Sequence, residues 1–355
     1  MLNFQTAITE LTGMDIANAS LLDEATAAGE AAMMSYNIHN GKRRKFWVSH
    51  NTWPQTIDLI KTRMESMGLE MVVGDINKFD FENAKDYFGM LVQTPDNFGN
   101  IHDFTELASK VQEHGLIFTV QADLLSLCLQ KTPGEMGADI VVGTAQRMGV
   151  PMMFGGPHPG FFAVKDKYKR KMPGRIIGIS KDVHGNQAFR MAMQTREQHI
   201  RKEKATSNIC TSQALLANIS SFYMMWHGPV GLRKIAKKCR FFGQILINEL
   251  KHAGYVIITD EQDRFDTVAI DVKKSGFTSS DYVLAEFHKH EINLRRINQH
   301  CISVSFDETT TLYDLDILIK LFQTLKNKRT QFHKSTDFAE YENYKYETLR
   351  DEIKR

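Results

Sequence analysis

The chain has 355 residues, 42% of them hydrophobic and 24% charged, with a formal charge of +2. That describes a globular protein with room for one large domain and a smaller one, and gives no global reason to invoke nucleic acid or a membrane. Cys128, Cys210, Cys239 and Cys301 lie far apart without a CxxC pair, and the histidines include no HExxH, so neither a zinc site nor a disulfide framework is expected.

The amino terminus, MLNFQT, enters a helical pattern with Leu2, Ile8 and Leu11 apolar. It has no signal or transit character, so the chain is expected to start inside a domain. Strand-like and helical runs then alternate: a strand at 45–49, a helix at 53–66, strands at 70–73 and 88–93, a helix at 103–113 and a strand at 116–121. Such alternation predicts a mostly parallel α/β sheet. Further strands are expected at 140–142, 151–154 and 161–164, and a long apolar helix at 209–226. After His227, Gly228 and Pro229 come a helix at 232–253, strands at 255–258 and 267–272, a helix at 280–288, a strand at 302–306 and a helix at 313–325. The expected domains are therefore 1–228, large and α/β, and 229–325, small and α+β, with 326–355 a charged linker or tail. The basic runs at 42–45 and 165–171 are short and broken by aromatics, as in solvated loops.

Several segments carry chemical content. Ser20 and Asp23 have capping-box spacing ahead of a run of small residues around Thr26. A helix start of this kind fits either a phosphate seat or tight helix packing. Asp123 closes an apolar run at the carboxyl end of a central strand, where open α/β sheets place ligands, and fits either a partner for a cofactor cation or a helix cap. His158, between two prolines, is expected extended and exposed; it reads as a hydrogen-bonding site residue or as a turn histidine without a role. Glycines 155, 156 and 160 suit tight turning and close approach. Finally, Arg196, His199, Arg201, Lys202 and Lys204 precede Ala205, Thr206, Ser207 and Asn208, which offer caps for the helix expected near Ile209. This reads as an anion-binding helix entry or as a solvated charge run.

Taken in order, LLDEATAAGEA at 21–31, the Asp123 strand end, KTPGEMGADIVVGTAQRMGVPMMFGGPHPGFFAV at 131–164, MPGRIIGIS at 172–180 and QTREQHIRKEKATSNICTSQALLAN at 194–218 closely resemble the P protein family of the glycine cleavage system, glycine dehydrogenase (decarboxylating). The resemblance spans nearly all of residues 1–325. It implies an aspartate-aminotransferase-like (pyridoxal-phosphate fold type I) architecture and an enzyme that decarboxylates glycine and passes the aminomethyl group to the lipoyl arm of the H protein. The family has two homologous halves, and these motifs resemble the amino-terminal one, which lacks the cofactor lysine. Where a lysine is expected after the strand at 140–142, this chain has Gln146, whose delocalised amide nitrogen cannot condense with an aldehyde. Lys204 lies in a charged loop without desolvating surroundings, an unsuitable substitute.

The resemblance implies that pyridoxal phosphate is held covalently by the other half. Thr26, Asp123 and His158 would mark the homologous, vestigial site. Arg196, His199, Arg201 and Lys204 would supply anionic or half-to-half contacts, and Thr206, Ser207 and Asn208 the lining. The expected partners are the carboxyl-terminal half, the H protein and glycine, in a dimer of two-half units. No metal is expected. The chain reads as a fragment inactive alone, in the cytoplasm of a bacterium or the mitochondrial matrix of a eukaryote. A non-catalytic scaffold or regulatory half, and an independent pyridoxal-phosphate aminotransferase-like enzyme using Lys204 or another lysine, are the alternatives.

Overall fold

A computed structural model describes residues 1–205, 209, 212–327, 349–351 and 353–355. The chain divides into two units: Met1–Thr94 with Asp103–Leu232 and Arg355, and Pro95–His102 with Arg233–Lys354.

The first unit contains α1 (Leu2–Thr12), β1 (Ile16–Ala17), α2 (Glu24–Ile38), β2 (Lys45–Ser49), α3 (Pro54–Ser66), β3 (Glu70–Gly74), β4 (Tyr87–Thr94), α4 (Thr105–Glu113), β5 (Ile117–Ala122), β6 (Ile140–Thr144) and β7 (Gly160–Val164). A hairpin, β8 (Ile177–Lys181) and β9 (Gln187–Met191), and the short helix α5 (Gln198–Arg201) follow. The seven-stranded sheet has the order β1-β7-β6-β5-β4-β2-β3. Strands β3, β2, β4, β5 and β6 are parallel, while β7 is antiparallel to β6 and β1. All six residues of β5 are buried, as in a sheet covered on both faces. On α2, Ala27, Ala28, Ala31 and Ala32 are at most 1% exposed and join the core with Phe46, Val48 and Phe162. A Cβ on Gly29 would come within 2.6 Å of Leu59 Cδ2 of α3, so the small residues serve close helix packing.

Helix α6 (Ala214–His252) is broken at Gly228 (φ 58, ψ −178), and Pro229 follows it. Proline has no N–H for the helix, so the two helices expected on either side of this point are separated by a kink rather than a loop. The second unit contains β10 (Val256–Ile257), β11 (Thr267–Asp271), α7 (Ser280–His288), β12 (Arg295–Asn298), β13 (Cys301–Ser305) and α8 (Leu312–Asn327). Its antiparallel sheet, β10-β11-β13-β12, carries Ile270, Ile302 and Val304 against Phe287 and Phe322 of its helices. Ser279 caps α7 by accepting from the Tyr282 N–H.

Three local expectations need correction. Residues 151–154 form a turn, not a strand; Met152, Met153 and Phe154 are exposed, and Met153 has φ 47. Thr144 and Gly160 already face each other across β6 and β7, so the chain between them must reverse direction. Ser20 is not the cap of α2: it is buried with φ 123, and Asp23 is the N-cap. The helix expected from Ile209 starts at Ala214, and its expected caps at 206–208 lie outside the described residues. The hairpin β8–β9 has no counterpart among the expected elements, because neither strand has a fully buried residue to produce an apolar alternation.

Gly160 fixes how the chain enters α2. Its N–H and carbonyl exchange hydrogen bonds with Leu21 (3.1 and 2.9 Å), and a Cβ there would lie 2.4 Å from the Asp23 carbonyl oxygen. Because that neighbour is backbone, Gly160→Ala is expected to destabilise the protein by about 1–3 kcal/mol, read as a lower urea midpoint with an unchanged slope.

Candidate functional site

Parallel strands deliver their carboxyl ends to one edge of the sheet, and here β5 ends at Ala122 beside Asp123 while β6 ends at Thr144. Gly143 lets these ends approach: a Cβ on it would lie 2.2 Å from the Ala122 carbonyl oxygen. The entry to α2 is brought to Gly160, the residue opposite Thr144, through its bridge with Leu21. Chain topology thus gathers residues from about 21 to 160 in one place.

Asp123 Oδ2 lies 3.4 Å from Arg147 Nη1, and Oδ1 accepts from the Ser126 N–H at 2.9 Å. The carboxylate thus sits at the strand end beside a cation, and it also accepts the N–H of Ser126, the first residue of the short 3-10 turn Ser126–Cys128. Its cation belongs to the chain itself. Thr26 is buried in the first turn of α2, where its N–H donates to Asp23 Oδ1 at 2.7 Å. A carboxylate of the chain therefore occupies this helix entry, where a phosphate would otherwise gain from the dipole.

His158 is partly buried rather than exposed, with Nδ1 2.9 Å from the Thr144 hydroxyl. Burial holds its imidazole below the ordinary value, against a smaller opposing effect of Asp23. Thr144 also accepts from the N–H of Gln146, at 3.1 Å. Gln146 is partly buried just beyond β6, so the structure places it at the end of that strand.

Glu24 is a site residue that sequence reasoning missed. Burial, then the charge of Asp123, raise its carboxyl to about 7, while a hydrogen bond from Gln121 and the charge of Asp23 act as smaller, opposed influences. Three carboxyl groups, Asp23, Glu24 and Asp123, thus share this edge with Arg147. Glu24 lies within the capping sequence and Arg147 directly follows Gln146, but neither has a local pattern that reveals the other.

The charged segment is separate in its contacts. Arg196 is buried and donates from Nη2 to the carbonyl oxygens of Met172 and Gly174. His199, Arg201 and Lys204 are exposed, while Thr206, Ser207 and Asn208 lie outside the described residues. Among the described residues, no group of three or more His, Cys, Asp or Glu is arranged to hold a metal, and no helix is long and apolar enough to cross a membrane.

The architecture is that of the pyridoxal-phosphate fold type I enzymes. An apo cysteine desulfurase from Thermococcus onnurineus NA1 shares this fold at a TM-score of 0.64 and 15% identity, over 92% of this chain and 83% of that one. A glycine decarboxylase (P-protein) of the glycine cleavage system, in inhibitor-bound form, superposes at a TM-score of 0.83 and 30% identity, over 91% of this chain and 74% of that one. The family profile described as glycine cleavage system P-protein matches residues 1–322, and the chain belongs to that family. It is 48% identical over 332 residues to the glycine dehydrogenase (decarboxylating) of Photobacterium profundum, covering 94% of this chain and 34% of that protein. Against the mitochondrial glycine dehydrogenase (decarboxylating) of Flaveria trinervia it is 49% identical over 322 residues, 91% of this chain and 30% of that protein. The chain spans about a third of the length of these curated relatives.

The buried carboxyl gives this site a pH signature. Glu24 binds its proton more tightly folded than unfolded, so stability falls as pH rises from the ordinary glutamate value of 4.5 to about 7 and is then flat. At about 1.4 kcal/mol per pKa unit, the penalty well above pH 7 is on the order of 3–4 kcal/mol. Glu24→Gln is expected to raise the urea midpoint at pH 8, with the gain shrinking to near zero at pH 4.5.

Proposed function

We propose that the chain acts as the amino-terminal half of a glycine-decarboxylating P protein, and that a second, homologous half carries the cofactor lysine. The single observation that carries this reading is the family match over residues 1–322. Glutamine at position 146, at the end of β6, supports placing the lysine elsewhere.

The group implied by the fold is pyridoxal phosphate, which supplies an electron sink when carbon dioxide leaves glycine. It needs an anion seat, a carboxylate free to meet its ring cation and a lysine. In this half the helix entry is taken by Asp23, the Asp123 carboxylate is engaged by Arg147, and Gln146 stands at the strand end. These residues do not fit the cofactor, so no catalytic step is assigned to them. Thr26, Asp123 and His158 mark a vestigial counterpart of the cofactor site.

What remains for this half is to complete and shape the active site of its partner. His199, Arg201 and Lys204 are exposed and cationic or titratable, a composition suited to contact with an acidic face of the carboxyl-terminal half or of the lipoyl H protein. Glycine is the proposed substrate of the assembled enzyme, and a dimer of two-half units its proposed form. Its compartment would be the cytoplasm in a bacterium or the mitochondrial matrix in a eukaryote.

Incubation of the chain with pyridoxal phosphate followed by borohydride is expected to leave no stoichiometric lysine adduct. Glycine-dependent exchange of labelled carbon dioxide is expected only after the carboxyl-terminal half and the H protein are added. A stoichiometric adduct at Lys204 would instead establish an independent enzyme.

A further inference from the structure

Before its break at Gly228, helix α6 has two sides of different fate. On one side Ala217, Ser220, Ser221 and Met224 are buried, and the Ser220 hydroxyl donates to the Ala145 carbonyl oxygen at 3.1 Å, so this side faces the body of the first unit. On the opposite side Leu215, Phe222 and Trp226 are 70%, 68% and 86% exposed, with the partly exposed Ile219 between them. These four positions are spaced by four, three and four residues, so they form one stripe along the helix. That is the spacing of a seam between two packed helices. The outward side of a surface helix is ordinarily charged or polar, yet this one is apolar over about 17 Å of helix. Residues 205–232 contain no Asp, Glu, Lys or Arg.

Further apolar surface adjoins the stripe. Met225, 52% exposed, lies at one edge, where its sulfur accepts from Asn3 Nδ2 of α1 at 3.4 Å. At the other edge a Cβ on Gly149 would lie 2.5 Å from Tyr223 Cδ2, and the exposed turn with Met152, Met153 and Phe154 follows a few residues on. Contiguous apolar surface of this size marks a contact with another molecule. Helices that lie on a membrane carry Lys and Arg beside the apolar face, and this segment has neither, so a protein surface is the better match.

The stripe is complementary to itself. In an antiparallel pairing about a two-fold axis level with Ser220 and Ser221, Trp226 of each copy meets Leu215 of the other, and Phe222 meets Ile219. Each contact then joins a large side chain to a smaller one, as close packing requires, and no like charges meet. A parallel pairing would instead set Trp226 against Trp226 and Phe222 against Phe222. Covering both aromatic side chains of both copies removes roughly 600–1,000 Å² from water. Leu215, Ile219, Met225 and the adjoining turn extend the contact into the range of about 1,200–2,000 Å² found in stable interfaces.

We propose that the exposed side of α6 is a two-fold contact between two copies of this chain, with Phe222 and Trp226 at its centre and its helices antiparallel. The contact is a property of the chain itself and does not depend on the reaction assigned above.

Sedimentation velocity of the full chain over a concentration series tests it, and a concentration-dependent dimer is expected. Trp226→Glu puts a charge into the contact and is expected to weaken dimerisation by about 30-fold or more. Its far-ultraviolet circular dichroism is expected to match the parent's, because the side chain is exposed in the single chain. Leu215→Lys is expected to behave in the same way. An equimolar mixture of the two variants is expected to regain dimers, since the antiparallel pairing brings the two new charges together at one end and leaves Trp226 against Leu215 at the other. A parent that stays monomeric throughout the series overturns the proposal, including the case in which the same face binds the carboxyl-terminal half instead. A Trp226→Glu dimer as tight as the parent's, or a mixture of the two variants that stays monomeric, overturns it as well.

Discussion

The site in the first unit depends on backbone packed against backbone at two positions without a Cβ. Gly160 lies between Thr144 of β6 and the bridge to Leu21, with the Asp23 carbonyl where its side chain would be. Gly143 does the same between β6 and the end of β5. These contacts are short because hydrogen-bonded strands set the spacing, and only glycine leaves room for a further segment at the strand ends. Entry to α2, the Asp123 loop and the Gln146 turn are consequently held together by the main chain. Their side chains then interact at close quarters whatever their identity.

That scaffold sets which charges the strand ends and the helix entry favour. A helix entry aimed at a sheet edge favours an anion, and a carboxylate at the end of β5 favours a cation. In this chain both preferences are met internally, by Asp23 and by Arg147. Glu24 then lies among carboxyl groups in a partly desolvated place, which raises its proton affinity to the physiological range. The fold supplies the fields, and the local side chains have satisfied them.

Much of the first unit is legible in the sequence because its strands are continuous apolar runs separated by amphipathic helices. For β2, β3, β5 and β6 the expected and observed cores agree within two residues. The hairpin β8–β9 is not legible, because partly exposed strands have no burial pattern and pair only through local turn geometry. Residues 151–154 mislead for the opposite reason: Met152, Met153 and Phe154 have the composition of a strand but pair with no strand among the described residues. His158 is expected to be exposed because proline fixes backbone direction, yet direction does not determine what packs against the ring.

By itself the sequence determined the alternation of elements, the family to which the motifs belong and the identity of residue 146, since each is a property of residue order. It also determined that the position carries an amide and not an amine. Only the tertiary structure decided that Arg147 meets Asp123, that Asp23 rather than Ser20 closes the start of α2, and that Arg196 and Glu197 are buried with unmet polar atoms. The reasons are physical: Arg147 and Asp123 are far apart in sequence, Ser20 and Asp23 are both acceptable caps until the backbone path selects one, and a charged run can face water or the interior. Local composition leaves these undetermined until the sheet has set the distances.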